Sequence, residues 1–373
     1  MANTDLDNAK KNKVDEFYTQ LTDIENELKH YKKQFKDKTI FCNCDDPYWS
    51  NFFYYFVAKF NEIGIKKLIA THYIDNDISL FNDIMPEKPY SLSITKAPQD
   101  LLSLERPAMV THIIEENGGR HYLKEDGDFR STECIEMLKE ADIVVTNPPF
   151  SLFREYVDQI IEYNKKFLII GNTNAITYKN IFRYIKENKM WTGMSTFNQG
   201  LHFVVPDNLP CQKIENGKRL VRVASVCWFT NLDTSKRHED LTLYRKYMPE
   251  VYPKYDNYDA IEVSTFKDIP MDYYSPMGVP ITFVDKYNPN QFEILGLTSG
   301  RNEFEAIPTK RYINPIQVNK NGTTTNGSKA NTRATLLLKT KPDDIYYTAD
   351  NVNGYLKILY ARIIIKRILS KEL

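Results

Sequence analysis

Through its first two thirds the chain alternates short apolar runs with amphipathic stretches, and beyond residue 230 that rhythm is lost. After a polar arm, Thr22 and Glu25 are spaced as a capping box, and Ile24, Leu28, Tyr31 and Phe35 share one face of the helix it opens. The run KTIFCN at 38–43 predicts a buried strand, closed by the loop Cys44-Asp45-Asp46-Pro47. Phe52, Phe56, Phe60 and Ile63 then recur at helical spacing, Gly64 stops that helix, and 67–71 reads as a second strand. Strand, helix, strand is the start of a parallel sheet. Residues 75–108 read as a polar insertion, and 110–123 as a hairpin around Asn117-Gly118-Gly119. The pattern resumes with a helix at 131–140, a strand at 142–146, a helix at 151–163, a strand at 167–170 and a helix at 177–187. Strands at 202–205 and 223–230 close the series. This alternation predicts a doubly wound α/β domain over 1–230. Ligands of such sheets lie beyond the carboxyl ends of the strands, which directs attention to the loops after residues 43, 71 and 146. Residues 231–373 read as a mixed, strand-rich second domain, with Thr, Asn, Gly and Lys crowding 309–333.

Composition narrows the function classes. In 373 residues, 42% hydrophobic and 26% charged, there is enough apolar content for a core and too little bias for a disordered or low-complexity chain. No apolar run approaches the ~20 residues of a membrane span, and MANTDLDNAKKNK lacks the apolar stretch of a secretion signal, so the expected location is cytoplasmic. Five scattered cysteines argue against a disulfide framework. The lone pair Cys42 and Cys44 has no second pair or nearby His at zinc spacing, so no metal site is expected. Neither a G-x-G-x-x-G nor a G-x-x-x-x-G-K pattern occurs, which argues against a P-loop nucleotidase. Forty-nine basic residues balance forty-nine acids, excluding a uniformly basic nucleic-acid coat. The balance conceals a polarity. From residue 306 to the end, twelve Lys and Arg face four acids, so that segment carries +8 and the remainder −8.

The strongest chemical signal is DIVVTNPPF at 142–150, a buried strand running directly into Asn147-Pro148-Pro149-Phe150. A plain turn accounts for the two prolines. It does not account for an aromatic residue placed directly after Asn-Pro-Pro at the carboxyl end of a strand, which is the pattern of amino-group methyltransferases. The chemistry needs it. An exocyclic adenine amine is a poor nucleophile because its lone pair is delocalised into the ring. The Asn147 side-chain oxygen and the Pro148 carbonyl can together hold both amino hydrogens and favour a pyramidal nitrogen. Pro149 stiffens the loop, and Phe150 offers a flat face for a flipped-out base.

Longer strings carry a more specific likeness. With DEFYTQ at 15–20, DIENEL at 23–28, CNCDDP at 42–47, SNFF at 50–53, GDFRS at 127–131, DIVVTNPPFSLF at 142–153, KKFLII at 165–170, YPKYDNYDAI at 252–261 and MGVPITF at 277–283, the chain resembles the EcoRI-type adenine-specific DNA methyltransferases. That resemblance implies a Rossmann-like methyltransferase sheet, S-adenosylmethionine as methyl donor, N6 methylation of a flipped-out adenine in double-stranded DNA, and a C-terminal target-recognition domain. It also implies a modification enzyme of a restriction-modification system with no obligate protein partner. Carried over by position, Phe17, Tyr18 and Thr19 lie against the cofactor, Asn147 also contacts it, and Asp128 and Phe129 meet its adenine ring. Cys44, Asp45, Asp46 and Pro47 stand where methyltransferases usually place a glycine-rich turn. Asp45 or Asp46 has two readings there: acceptor for the cofactor's ammonium, or cap of the following helix. No ribose ligand is assigned; Thr71, His72 and Tyr73 end the second strand, and Asp75 is a candidate only.

The basic C-terminal segment suits phosphate contact, and Lys320, Lys329 and Arg333 are the expected DNA contacts. Competing readings are a methyltransferase acting on RNA or on a protein glutamine amide, and a non-catalytic DNA-binding module. The long segment beyond the catalytic domain argues against the former, and the intact Asn147 to Phe150 against the latter.

Overall fold

A computed structural model describes residues 18–73, 88–97, 103–205, 211–215, 217–299 and 306–369; Phe17 and Asp75 lie outside them. The chain forms two compact units, one of residues up to 175 with 190–234, the other of 176–189 with 235 onward.

In the first unit, strand β1 (Tyr18–Thr19) leads into helix α1 (Leu21–Leu28), a 3-10 turn and the short helix α2 (Lys32–Phe35). Ile24, Leu28, Tyr31 and Phe35 are fully buried, as their spacing predicts. The capping box does not form, because the Gln20 carbonyl already accepts from the Asp23 and Ile24 N–H groups and starts the helix ahead of Thr22. Then follow β2 (Thr39–Cys42), α3 (Asn51–Ala58), α4 (Phe60–Ile63) and β3 (Lys67–His72), with Gly64 in the left-handed region ending α4. Next come β4 (Tyr90–Ile94), α5 (Arg106–Glu116), β5 (His121–Tyr122), α6 (Thr132–Glu140) and β6 (Ile143–Thr146). Helix α7 (Phe153–Glu162), β7 (Lys166–Asn172), β8 (Trp191–Thr192), β9 (Leu201–Val204), β10 (Lys213–Glu215), β11 (Lys218–Val223) and β12 (Val226–Thr230) complete it.

The main sheet has the order β5-β4-β3-β2-β6-β7-β12-β8. Its centre, β3-β2-β6-β7, is parallel and both flanks are antiparallel. Residues Ile40, Cys42, Leu68, Ala70, Ile143 and Val145 point to the face covered by α1, α3 and α5. Alternate residues point to the opposite face, where α6 packs on β2 and α7 on β7. The sheet is therefore α/β and wound on both faces.

Three strand and hairpin assignments need correction. The 75–108 insertion contributes a sheet strand, β4, paired antiparallel to β3. The 110–123 hairpin is instead the end of helix α5: Met109, Val110, Ile113 and Ile114 bury one side, and Gly118 and Gly119 take positive φ beyond it. Asn117 stops the helix by bonding across to Thr95 and Lys96, which a reading of local turn chemistry misses. The 202–205 strand, β9, leaves the main sheet and pairs with β1 and β11 in a separate four-stranded sheet.

The second unit holds α8 (Lys179–Lys186) and two sheets. Strands β13 (Ile261–Glu262), β14 (Met277–Pro280), β15 (Phe292–Leu297) and, last in the chain, β21 (Arg362–Arg367) form one, in the order β13-β14-β21-β15. The other runs β17-β16-β19-β20-β18, from β16 (Ile316–Val318), β17 (Thr324–Asn326), β18 (Thr335–Leu338), β19 (Tyr346–Thr348) and β20 (Tyr355–Ile358). The sequence pattern groups 177–187 with the first domain. Helix α8 instead buries Ile181, Phe182 and Ile185 in the second unit, and Lys186 donates to the Leu295 carbonyl at 2.7 Å. An amphipathic helix declares its apolar face, not the sheet that covers it. Among the described residues no helix is long and apolar enough to cross a membrane.

Candidate active site

From β2 the chain winds outward to β3, and from β6 it winds the other way to β7. The switch point is the crevice between the carboxyl ends of β2 and β6, where α/β sheets of this topology bind ligands. Two loops line it, 43–50 and 147–150, and one residue ties them. The Thr146 hydroxyl, at the end of β6, lies within hydrogen-bond distance of both the Asn43 carbonyl and the Asp45 carboxylate. The other Asp45 oxygen accepts from Ser50 Oγ at 2.7 Å, and Ser50 in turn caps α3 by accepting from Phe52 and Phe53 N–H. Asp46 accepts from Tyr48 N–H at 2.7 Å through one oxygen and pairs with His72 Nδ1, at the end of β3, through the other. Both aspartates are under 10% exposed. They shape the loop, while the helix cap itself is Ser50.

Cys44 resolves the missing glycine. Its φ is +64°, the left-handed conformation that glycine adopts at no steric cost, and its N–H donates to Thr71 Oγ1 at 3.4 Å. The turn geometry is present without the residue that favours it. Holding a non-glycine there costs roughly 1–2 kcal/mol, against about 0.5–1 kcal/mol of extra chain entropy that a glycine loses on folding. Cys44→Gly is therefore expected to leave stability equal or slightly raised, and Cys44→Val to lower it, in urea denaturation. A glycine variant clearly weaker than wild type rules out backbone strain at this position.

The Asn147-Pro148-Pro149-Phe150 segment leaves β6 at the switch point, with Pro148 buried and the other three half-buried. Pro149 is extended, at φ −56° and ψ 124°, and its carbonyl accepts from Leu152 N–H at 3.1 Å. That i→i+3 bond makes 150–152 a 3-10 turn, so α7 starts at Phe153 and not at Ser151. Phe150 rests against the core on the α1 and α3 face.

The 127–129 segment closes the third side. A side chain at Gly127 would meet the His72 carbonyl at 2.7 Å, so glycine lets this segment reach the end of β3. Both Asp128 oxygens are held by the Arg130 guanidinium, at 2.7 and 2.8 Å, and the Arg130 N–H adds a bond at 2.8 Å. Burial pushes the Asp128 carboxyl up, but these bonds outweigh it and hold the carboxyl below its ordinary value. Phe129 is 2% exposed, edge-on to Tyr156 at 4.9 Å and beneath the Arg130 guanidinium. Burial first, then Cys44 and Asp45 of the loop after β2, pushes the Tyr156 hydroxyl well up. Thr19 joins from β1, its carbonyl accepting from Asn51 Nδ2 at 2.6 Å just inside α3. Arg106 braces the same helix start through Asn51 Oδ1 and the Ser50 carbonyl. Burial and Asp45 raise the Cys42 thiol, and burial raises Cys134 to about 11, so neither is a nucleophile near neutral pH.

The structure thus brings Thr19, Cys44 to Pro47, Asp128, Phe129 and Asn147 to Phe150 to one end of the main sheet. Thr146, Ser50, His72 and Arg130 complete the cluster and were assigned no role from the sequence. Ser50 was legible as a helix cap ahead of Asn51-Phe52-Phe53; the pairings of His72 and Arg130 leave no trace in local pattern. Lys320, Lys329 and Arg333 belong to the second unit, the first two exposed and Arg333 half-buried.

Comparison with known proteins identifies a family. A family model described as adenine-specific methyltransferase EcoRI matches residues 5–368. The Type II methyltransferase M.EcoRI of Escherichia coli is 48% identical over 305 residues, covering 80% of this chain and 90% of that protein. Type II methyltransferase M.MgeORF184P of Mycoplasma genitalium is 40% identical, covering 77% and 84%, and M.MpnI of Mycoplasma pneumoniae is 35% identical, covering 82% and 89%. No solved structure matches the chain. A family match over nearly the whole length, supported by that identity, means that the chain belongs to the EcoRI family of adenine-specific methyltransferases.

Proposed function

We propose that this enzyme transfers a methyl group from S-adenosylmethionine to N6 of a flipped-out adenine in double-stranded DNA, as the modification enzyme of a restriction-modification system. The observation that carries the reading is Asn147-Pro148-Pro149-Phe150 at the sheet's switch point, tethered through Thr146 to the loop after β2. Restriction-modification context rests on the Type II relatives.

The donor set fits the cofactor. Its sulfonium is cationic and its amino-acid end carries an ammonium, and the crevice is lined by Asp45, Asp46 and Asp128. The Thr19 hydroxyl is buried with no hydrogen-bond partner among the described residues. Thr19, the Cys44 to Pro47 loop, Asp128, Phe129 and Asn147 are the residues that hold it. When bound, it supplies an electrophilic methyl group. Asn147 Oδ1 and the Pro148 carbonyl accept the two amino hydrogens of the target adenine and orient its nitrogen lone pair. Phe150 stacks the extruded base, and the proline pair keeps both acceptors from drifting. No cysteine nucleophile is required.

Incubating the protein with labelled S-adenosylmethionine and plasmid DNA, RNA or cell extract tests the reading. Label is expected in DNA; label in RNA or protein alone overturns it. DNA affinity provides a second measurement. Replacing Lys320, Lys329 and Arg333 by alanine is expected to flatten the salt dependence of binding by about 0.9 for each phosphate no longer neutralised. An unchanged slope removes these residues from phosphate binding.

A further inference from the structure

We propose that the hairpin of β16 and β17 enters the major groove and reads base edges, so that it sets the sequence this enzyme modifies. The inference rests on the reading of double-stranded DNA as substrate. Among the described residues, strand β17 is an edge strand paired only to β16, with Ile316 opposite Asn326, Gln317 opposite Thr325 and Val318 opposite Thr324. Every residue from Lys320 to Asn326 is exposed.

Its chemistry is unusual for an exposed edge. Such strands are ordinarily defended by several charges or a proline. This edge carries Thr324, Thr325 and Asn326, and the ribbon behind it adds Gln317, Asn319, Asn321 and Thr323, with Lys320 at the turn. Amides and hydroxyls match the donors and acceptors on base edges; the amides of Gln317, Asn319 and Asn321 brace the ribbon, and Thr324 and Thr325 present hydroxyls along the edge strand. Between residues 306 and 342 there is no acid to repel phosphate. Asp344 does lie beside Lys320, at 3.3 Å, but both are largely exposed, and a surface pair of this kind yields readily to a phosphate. Lys329 and Arg333 follow directly on the chain, suited to flanking backbone contacts. Size agrees as well: two strands ~4.8 Å apart, with side chains, fit a major groove ~12 Å wide.

The ribbon is also cross-braced by its own hydrogen bonds. Asn319 N–H donates to the Thr323 carbonyl and Gly322 N–H to the Asn319 carbonyl, each at 2.9 Å. Asn321 Oδ1 accepts from Thr323 N–H and Oγ1, and Asn319 Nδ2 donates to Thr323 Oγ1. Below the turn, Tyr347 donates to Gln317 Oε1 at 2.5 Å and so fixes the base of the ribbon to its sheet. Pre-ordering of this kind lowers the entropic cost of docking.

Sequencing of methylated DNA from cells expressing wild type, Thr324→Ala/Thr325→Ala and Thr324→Ser/Thr325→Ser tests the inference, with rates then measured on the modified motif and on single-base variants of it. The alanine variant is expected to lower the rate ratio between correct and altered sites about 10- to 100-fold, the range for removing one interaction with a base edge. The serine variant, which keeps the hydroxyls, is expected to retain most of that ratio. An alanine variant with an unchanged motif and ratio overturns the ribbon's role. Equal loss in both variants also overturns hydroxyl readout, since it follows the fold of the strand. A wild type that modifies no DNA overturns the parent reading and this one with it; a wild type with a sharp motif confines any failure to the ribbon.

Discussion

Asn147→Ala is expected to lower the rate of methyl transfer by at least about 10²–10³-fold, the usual cost of removing one preorganised polar group that faces a reacting atom. The reason is geometric. An adenine amine attacks only when its lone pair is freed from the ring, and that requires both hydrogens to be held at once. The Pro148 carbonyl is main chain and survives the substitution, so one acceptor remains and the nitrogen is left half-oriented. Neither Pro148, buried at the switch point, nor the Thr146 tether depends on the Asn147 side chain, so the loop itself is expected to persist. Cofactor affinity should fall by less than about tenfold, since a single neutral hydrogen bond is worth ~1 kcal/mol. Single-turnover kinetics alongside equilibrium cofactor binding separates the two quantities. Near-normal turnover would remove Asn147 from the mechanism.

The largest stability loss is expected from Glu27→Ala. Glu27 lies in α1 with no exposed surface. Its carboxylate accepts from the Tyr31 hydroxyl at 2.7 Å, from Met194 N–H at 2.6 Å, and from Ser195 through N–H at 2.7 Å and hydroxyl at 2.5 Å. Burial, reinforced by this carboxylate, pushes the Tyr31 hydroxyl above its ordinary value. Four donors converge on one group, two of them main-chain. Alanine strands all of them and leaves a hole, at an expected cost of about 3–5 kcal/mol, out of a total stability on the order of 5–15 kcal/mol. Glu27→Gln is expected to cost less, because it keeps the volume and one acceptor oxygen. Urea denaturation followed by circular dichroism reads both, and a Glu27→Ala loss below about 1 kcal/mol shows that the 193–195 loop relaxes onto other partners. The adjacent glycine is part of the same device: a side chain on Gly193 would lie 2.2 Å from Glu27 Oε1.

Glu27 also marks where local pattern stops being informative. Its neighbours Ile24, Leu28 and Tyr31 declare a buried helix face through spacing alone, and Glu27 falls beside that face while Glu25 does not, yet nothing in LTDIENEL tells a carboxylate with buried partners from an ordinary solvated one. The difference is a loop 167 residues further along the chain. The same limit explains α5, where an Asn-Gly-Gly that suits a hairpin turn serves as a helix stop because Asn117 reaches the end of β4. Asp128 has the same history. The family resemblance places it against the cofactor's adenine ring, and the structure fills both its oxygens from Arg130.

What the sequence by itself determined is whatever lies in contiguous residues. Strands β2, β3 and β6 follow from unbroken apolar runs, and Asn147-Pro148-Pro149-Phe150 carries its chemistry in four adjacent positions. The family was legible for the same reason, as long strings at fixed places. Charge polarity was legible too, since the +8 of the C-terminal segment is a sum over adjacent residues. Only the tertiary structure decided the rest: that Cys44 holds a glycine's conformation, that α8 belongs to the second unit, and that Thr146 and Asp45 join the two loops across 101 positions. Backbone periodicity is a local property of the chain. Hydrogen-bond partners and the surfaces that cover a helix are set by which strands become neighbours, and that is a property of the folded sheet.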